Sequence, residues 1–166
     1  MHRTASPIPQ FGSQDKPRPG SSSRDVVADM GGKADSAVRR KILIVEDELL
    51  IALDMESALM DAGFEVIGIA ASASEAMSLV RTTKPDLAVM DVRLAGPTDG
   101  VKCALELFRI DGIRCVFATA HQDQATRLRA EPAQPLGWLA KPYQPDALIR
   151  TVHDAIALLD ENKAGR

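Results

Sequence analysis

Aromatic side chains are scarce in this chain, 4% of 166 residues, with one Trp and one Tyr. Any core must therefore be filled by Leu, Ile, Val, Ala and Met. Cysteine is almost absent. Cys103 and Cys115 have no metal-ligand spacing and no companions, so they read as reduced core residues and not as a disulfide framework or zinc site. No apolar run approaches the roughly 18 residues of a membrane span. The N-terminus lacks the apolar stretch of a secretory signal, so a cytoplasmic protein without membrane contact is expected. No Gly-x-Gly-x-x-Gly follows the first apolar run, which removes the usual mark of a dinucleotide site. Internal repeats are also missing. The net charge of −3 gives no general reason to expect a nucleic-acid partner. That charge is unevenly spread: residues 1–40 hold seven Lys/Arg against four Asp/Glu, and the remainder thirteen against nineteen.

Residues 1–38 are rich in Ser, Pro, Gly and mixed charge, as in Lys16-Pro-Arg-Pro-Gly-Ser-Ser-Ser23. Such a stretch buries too little apolar surface to offset its ordering entropy and is expected to be a disordered leader. Residues 39–160 form the expected single domain, and 161–166 a short polar tail. No output module fits after the domain, so DNA binding by the chain itself is not expected.

Within the domain, short apolar runs alternate with amphipathic stretches. Ile42-Leu-Ile-Val45 is the first predicted strand, and Asp47 is placed to cap the helix that follows. Ile51, Met55, Ala58, Leu59 and Ala62 share a face of that helix at 3–4 spacing, and Gly63 ends it. Val66–Ala70 is a second strand. Ala76, Leu79 and Val80 mark a second helix, which stops before Pro85. The central strand is Asp86–Asp91, and the third helix turns Val101, Ala104, Leu105 and Phe108 inward. Arg114–Ala118 is the fourth strand. Residues 121–131 form a polar helix with Ala125 and Leu128 as its clear apolar anchors. Leu136–Ala140 is the fifth strand, and the last helix carries Leu148, Val152, Ala155, Ile156 and Leu159. Strands and helices in strict alternation predict a doubly wound α/β fold. Near-continuous apolar strands such as Leu87-Ala-Val-Met90 fit a parallel sheet covered on both faces.

In such sheets ligands bind at the carboxyl ends of the strands. Glu46 and Asp47, Asp91, Thr119 and Lys141 each follow one of the apolar runs, so adjacent parallel strands would bring them to one rim. Clustered carboxylates repel unless a cation neutralises them, and Mg²⁺, with its preference for oxygen ligands, suits the set. A carboxylate can act as a nucleophile and form an acyl phosphate. Lys141 would neutralise charge on the transferring group, and Thr119 would donate a hydrogen bond to one of its oxygens.

These residues resemble the receiver domain of response regulators in bacterial two-component systems. The resemblance rests on Ile-Leu-Ile-Val-Glu46-Asp47-Glu, Pro85-Asp-Leu-Ala-Val-Met-Asp91, Asp99-Gly100, Phe117-Ala-Thr119-Ala and Lys141-Pro142-Tyr143, and covers about residues 41–160. It implies a flavodoxin-like (βα)5 sandwich with strand order 2-1-3-4-5. It further implies that Asp91 is the phospho-acceptor and that Asp47, Asp91 and the Arg93 backbone carbonyl bind Mg²⁺, with Glu46 acting through water. By the same resemblance Thr119 swings toward the phosphoryl group, Lys141 pairs with it, the Lys141–Pro142 bond is cis, and Trp138 is the aromatic switch. Arg93 and His121 hold the positions that tune the phosphoryl lifetime. The implied donor is a histidine kinase or phosphotransfer protein. The implied output is a contact of the fourth helix, fifth strand and fifth helix with a protein target, made by a monomer or weak dimer. Two features depart from the family pattern: Ala95 stands where a proline is usual, and the loop to Asp99-Gly100 is one residue longer.

Two other classes are weighed. A binding module that works without phosphorylation, or a phosphate sink, is the alternative within the same fold. A phosphatase of the haloacid-dehalogenase type needs a second acid two residues after its nucleophile, where Arg93 stands instead.

Overall fold

The computed structural model describes residues 39–165. The expected leader, residues 1–38, lies outside them. Five strands and five helices alternate: β1 (Lys41–Val45), α1 (Leu49–Asp61), β2 (Glu65–Ala70), α2 (Ala73–Thr82), β3 (Leu87–Met90), α3 (Gly100–Asp111), β4 (Cys115–Thr119), α4 (Gln124–Ala130), β5 (Gly137–Ala140) and α5 (Pro145–Ala164). A single 3-10 turn, Glu131–Ala133, follows α4. The strands form one parallel sheet in the order β2-β1-β3-β4-β5, as the resemblance implies.

Side chains alternate across the sheet, so each inner strand feeds two cores. Leu43, Val45, Ala88, Met90, Cys115 and Phe117 face the core covered by α2, α3 and α4. Ile42, Ile44, Leu87, Val89, Val116 and Ala118 face the core covered by α1 and α5. Aliphatic residues fill both, and Phe117 is the largest fully buried side chain. Both cysteines are buried and unpaired. Polar side chains start three of the helices: Ser72 accepts from the Glu75 N–H, Asp99 from the Lys102 N–H and Asp123 from the Thr126 N–H. Gly63, at φ +90°, carries the chain out of α1 in a conformation that costs glycine little.

Several sequence expectations need correction. Asp47 does not cap α1: Glu48 is the N-cap residue, with no side-chain cap bond, and the Asp47 carboxylate lies with those of Glu46 and Asp91. β3 is shorter at both ends than Asp86–Asp91, and the Asp86 carboxylate accepts from the Lys41 N–H at 2.9 Å. Thr119 is the last residue of β4 and not the residue after it. In α3 the fully buried face holds Val101, Cys103, Ala104 and Leu107, while Leu105 and Phe108 are only partly buried. α4 is rotated from the expected face: Thr126 and Ala130 are buried, Ala125 is exposed and Leu128 is 55% exposed. Small side chains at i and i+4 let this short helix approach the core closely. α5 runs to Ala164, past the end expected near Leu159, and its Asp160 is held by Arg40 at 2.6 Å.

Candidate functional site

Parallel pairing sets the C-terminal ends of β1, β3, β4 and β5 side by side. Val45 is level with Met90, so the next residues, Glu46 and Asp91, emerge as neighbours. Thr119 is level with Ala140, and the Lys141 N–H donates to the Thr119 carbonyl at 3.1 Å. The Asp91 N–H donates to the Val45 carbonyl at 2.9 Å, which fixes the backbone under the site.

The Lys141 ammonium bridges two carboxylates, donating to Glu46 Oε2 at 2.5 Å and to Asp91 Oδ2 at 2.7 Å. Glu46 is 1% exposed and Asp91 7%, so the bridge lies in a crevice shielded from water. The other oxygens have partners too: Glu46 Oε1 accepts from the Glu48 N–H at 3.2 Å, and Asp91 Oδ1 from the Arg93 N–H at 3.2 Å. Burial raises the Glu46 carboxyl above its ordinary range, against the pull of Lys141. For Lys141, burial opposes the charged form, but Asp91 and Glu46 together outweigh it and hold the ammonium above its ordinary value. The lysine therefore stays charged.

Glu46, Asp47 and Asp91 each present an oxygen within 4.8 Å of the others, with Asp47 on the exposed side. Three carboxylate oxygens, one open to solvent, suit a hard divalent cation that keeps several waters. The chemistry of the donor set thus fits Mg²⁺.

Thr119 is fully buried at the same rim, and its Oγ1 accepts from the His121 N–H at 3.1 Å. Trp138, on β5, stacks on Phe117 with ring centroids 4.5 Å apart. The Arg93 side chain is exposed and pairs with no carboxylate among the described residues. The Lys141–Pro142 bond is cis. Gly100 backs the site: a Cβ there would stand 1.8 Å from the Asp91 carbonyl oxygen. The loop between Asp91 and Gly100 is pinned midway, where the Ala95 N–H donates to the Ala71 carbonyl at 3.1 Å.

Sequence reading missed how α4 is held. Gln122 and Arg127 bond each other, the Arg127 guanidinium lies 4.7 Å over the Trp138 ring, and Arg129 pairs with Asp99. Apolar periodicity carries no trace of such polar anchors. Tyr143, to which the sequence assigned no role, has a buried hydroxyl with no partner among the described residues. Burial, with Glu46 and Asp91 adding to it, makes that phenol a weaker acid than usual.

A family model described as the response regulator receiver domain matches residues 42–153. The transcriptional regulatory protein PdtaR of Mycobacterium tuberculosis (strain H37Rv) is 35% identical over 128 residues, covering 77% of this chain and 62% of that protein. The phyllosphere-induced regulator PhyR of Methylorubrum extorquens is 31% identical over 137 residues, covering 82% of this chain and 51% of PhyR. The chain thus spans about half to three-fifths of the length of these relatives. Among solved structures, the signal receiver domain of a modulated diguanylate cyclase from Desulfovibrio desulfuricans is 34% identical with a TM-score of 0.69, covering 75% of this chain and 98% of that one.

Proposed function

The chain belongs to the response regulator receiver domain family, and from that premise we propose that it accepts a phosphoryl group on Asp91 in a two-component phosphorelay. The observation that carries this reading is the Lys141 bridge. One ammonium is held on the acceptor carboxylate, inside a crevice, beside two further carboxylates with the donor chemistry for Mg²⁺. In the proposed transfer an Asp91 oxygen attacks phosphorus, the new O–P bond forms, and the bond to the nitrogen of a donor phosphohistidine breaks. Lys141 neutralises charge on the incoming phosphoryl oxygens, and Thr119 turns its hydroxyl from the His121 N–H toward them. Glu46, Asp47, Asp91 and the Arg93 carbonyl would hold Mg²⁺, which when bound supplies charge neutralisation to the phosphoryl oxygens. Water then hydrolyses the acyl phosphate, with Arg93 and His121 flanking its path.

The proposed donor is a histidine kinase or phosphotransfer protein. Leu49 and Leu50, exposed by 64% and 78% at the start of α1, offer such a protein an apolar surface beside the rim. The proposed output is a protein contact through α4, β5 and α5, with Trp138 reporting the state of the site. Incubation with acetyl phosphate and Mg²⁺ tests the chemistry. The expected product is one phosphoryl adduct, removed by hydroxylamine and prevented by EDTA. A hydroxylamine-stable adduct, or one indifferent to EDTA, contradicts the reading.

A further inference from the structure

We propose that Arg127 is a positioning residue: it latches Trp138 against Phe117 in the unphosphorylated state and couples that ring to Thr119 through Gln122. Its coupling to the phosphoryl group rests on the function proposed above. The contacts form a closed ring. The Arg127 guanidinium lies 4.7 Å over the Trp138 centroid, on an indole already stacked 4.5 Å from Phe117. The same guanidinium donates to Gln122 Oε1 at 2.9 Å, and its Nε donates to the Gln122 carbonyl at 3.3 Å. Gln122 reaches back from there, its Nε2 donating to the Thr119 carbonyl at 3.5 Å. Phe117 and Thr119 both belong to β4, which completes the circuit.

The guanidinium plane suits this double duty. Its face stacks on the indole while its edge donates to Gln122, a combination that lysine lacks. α4 has little else to hold it: only Thr126 and Ala130 are buried along its length. Arg129, two residues on from Arg127 and so on a different face of the helix, ties it to Asp99 at the start of α3. Rotation of the Thr119 hydroxyl toward Asp91 would release the His121 N–H, free residues 121–122 to shift, and so pull Gln122 from under Arg127. Contacts that such a movement breaks oppose it. Removing them should therefore raise affinity for a phosphoryl mimic, while a purely structural contact would not.

Trp138 is the only tryptophan, so intrinsic fluorescence reports on it alone. The test compares full-length wild type with R127Q, and with Gln122→Ala as a second variant that breaks the ring from its other side. Without ligand, acrylamide should quench Trp138 more strongly in R127Q than in wild type. Equal quenching overturns the latch whether or not the site takes a phosphoryl group. With Mg²⁺ and beryllium fluoride as the mimic, fluorine NMR of the bound species should give a midpoint about threefold or more lower in both variants, the scale of one partly exposed cation–π contact. An unchanged or higher midpoint overturns the coupling. If wild type binds no beryllium fluoride at Asp91, the proposed function fails and takes the coupling with it, while the quenching comparison still decides whether Arg127 holds Trp138.

Discussion

Lys141 bridges two carboxylates that are largely removed from the surface, Glu46 with no exposed side-chain area and Asp91 with 9%. Lys141→Met would leave both without their cation, and losing one partner of a buried pair costs about 3 kcal/mol. Urea unfolding at pH 7.5 should show a loss on that scale, and no loss would mean that the bridge is unimportant to the resting fold. The deficit has a definite pH dependence. Glu46 already binds its proton more tightly folded than unfolded, and removing Lys141 strengthens that preference. A raised folded pKa adds stability at low pH that is lost as pH rises, so the variant should recover part of its deficit toward pH 5. At this scale the clustering of Asp91, Lys141 and Glu46 was legible because each directly follows an apolar run. Asp47 was ambiguous, since a carboxylate at that position serves equally as a helix cap or a cation ligand. The partnership of Arg127 with Trp138 was not legible, because it depends on how α4 is rotated about its axis.

Element boundaries decide how the site is backed. α3 begins at Gly100, whose missing side chain leaves room for the Asp91 carbonyl; an added Cβ would meet its oxygen at 1.8 Å and its carbon at 2.9 Å. Backbone cannot yield as a flexible side chain does, so Gly100→Ala should cost about 1–3 kcal/mol and slow the proposed phosphoryl uptake by displacing Asp91. Unfolding and uptake measured on the same preparation check this, and a variant normal in both would contradict it. The face of α4 is tested by a pair of substitutions. Leu128→Ala, on the exposed side, should change stability by under about 0.5 kcal/mol, whereas Ala130→Leu, on the buried side, should cost about 1–3 kcal/mol. The reverse ranking would restore the face that apolar periodicity suggests. Longer helices such as α1 and α5 were readable from that periodicity. A seven-residue helix anchored by Thr126, Ala130 and arginine contacts leaves too faint a pattern.

At the scale of the whole molecule, a parallel sheet covered on both faces follows from strict alternation and two-sided apolar strands, whereas the strand order was implied by the family resemblance alone. The extent of α5 was less legible: its last turns are polar, and the Arg40–Asp160 pair that holds them spans the length of the domain in sequence. Cys103 and Cys115 sit inside the core, and burial pushes the Cys103 thiol up to about 12 and Cys115 up as well. Both should therefore resist a disulfide exchange reagent at pH 8 until the domain is unfolded. Rapid native labelling would show that this core opens. One rim of the sheet then carries the proposed function: a cation-ready carboxylate cluster, a lysine bridge and Thr119 at the end of β4. The measurement that reaches this account most directly is the intact mass of wild type and Asp91→Asn, side by side, after Mg²⁺ and acetyl phosphate. One phosphoryl increment on wild type and none on the variant is the predicted result. An increment that persists on Asp91→Asn would show that the acceptor is another residue.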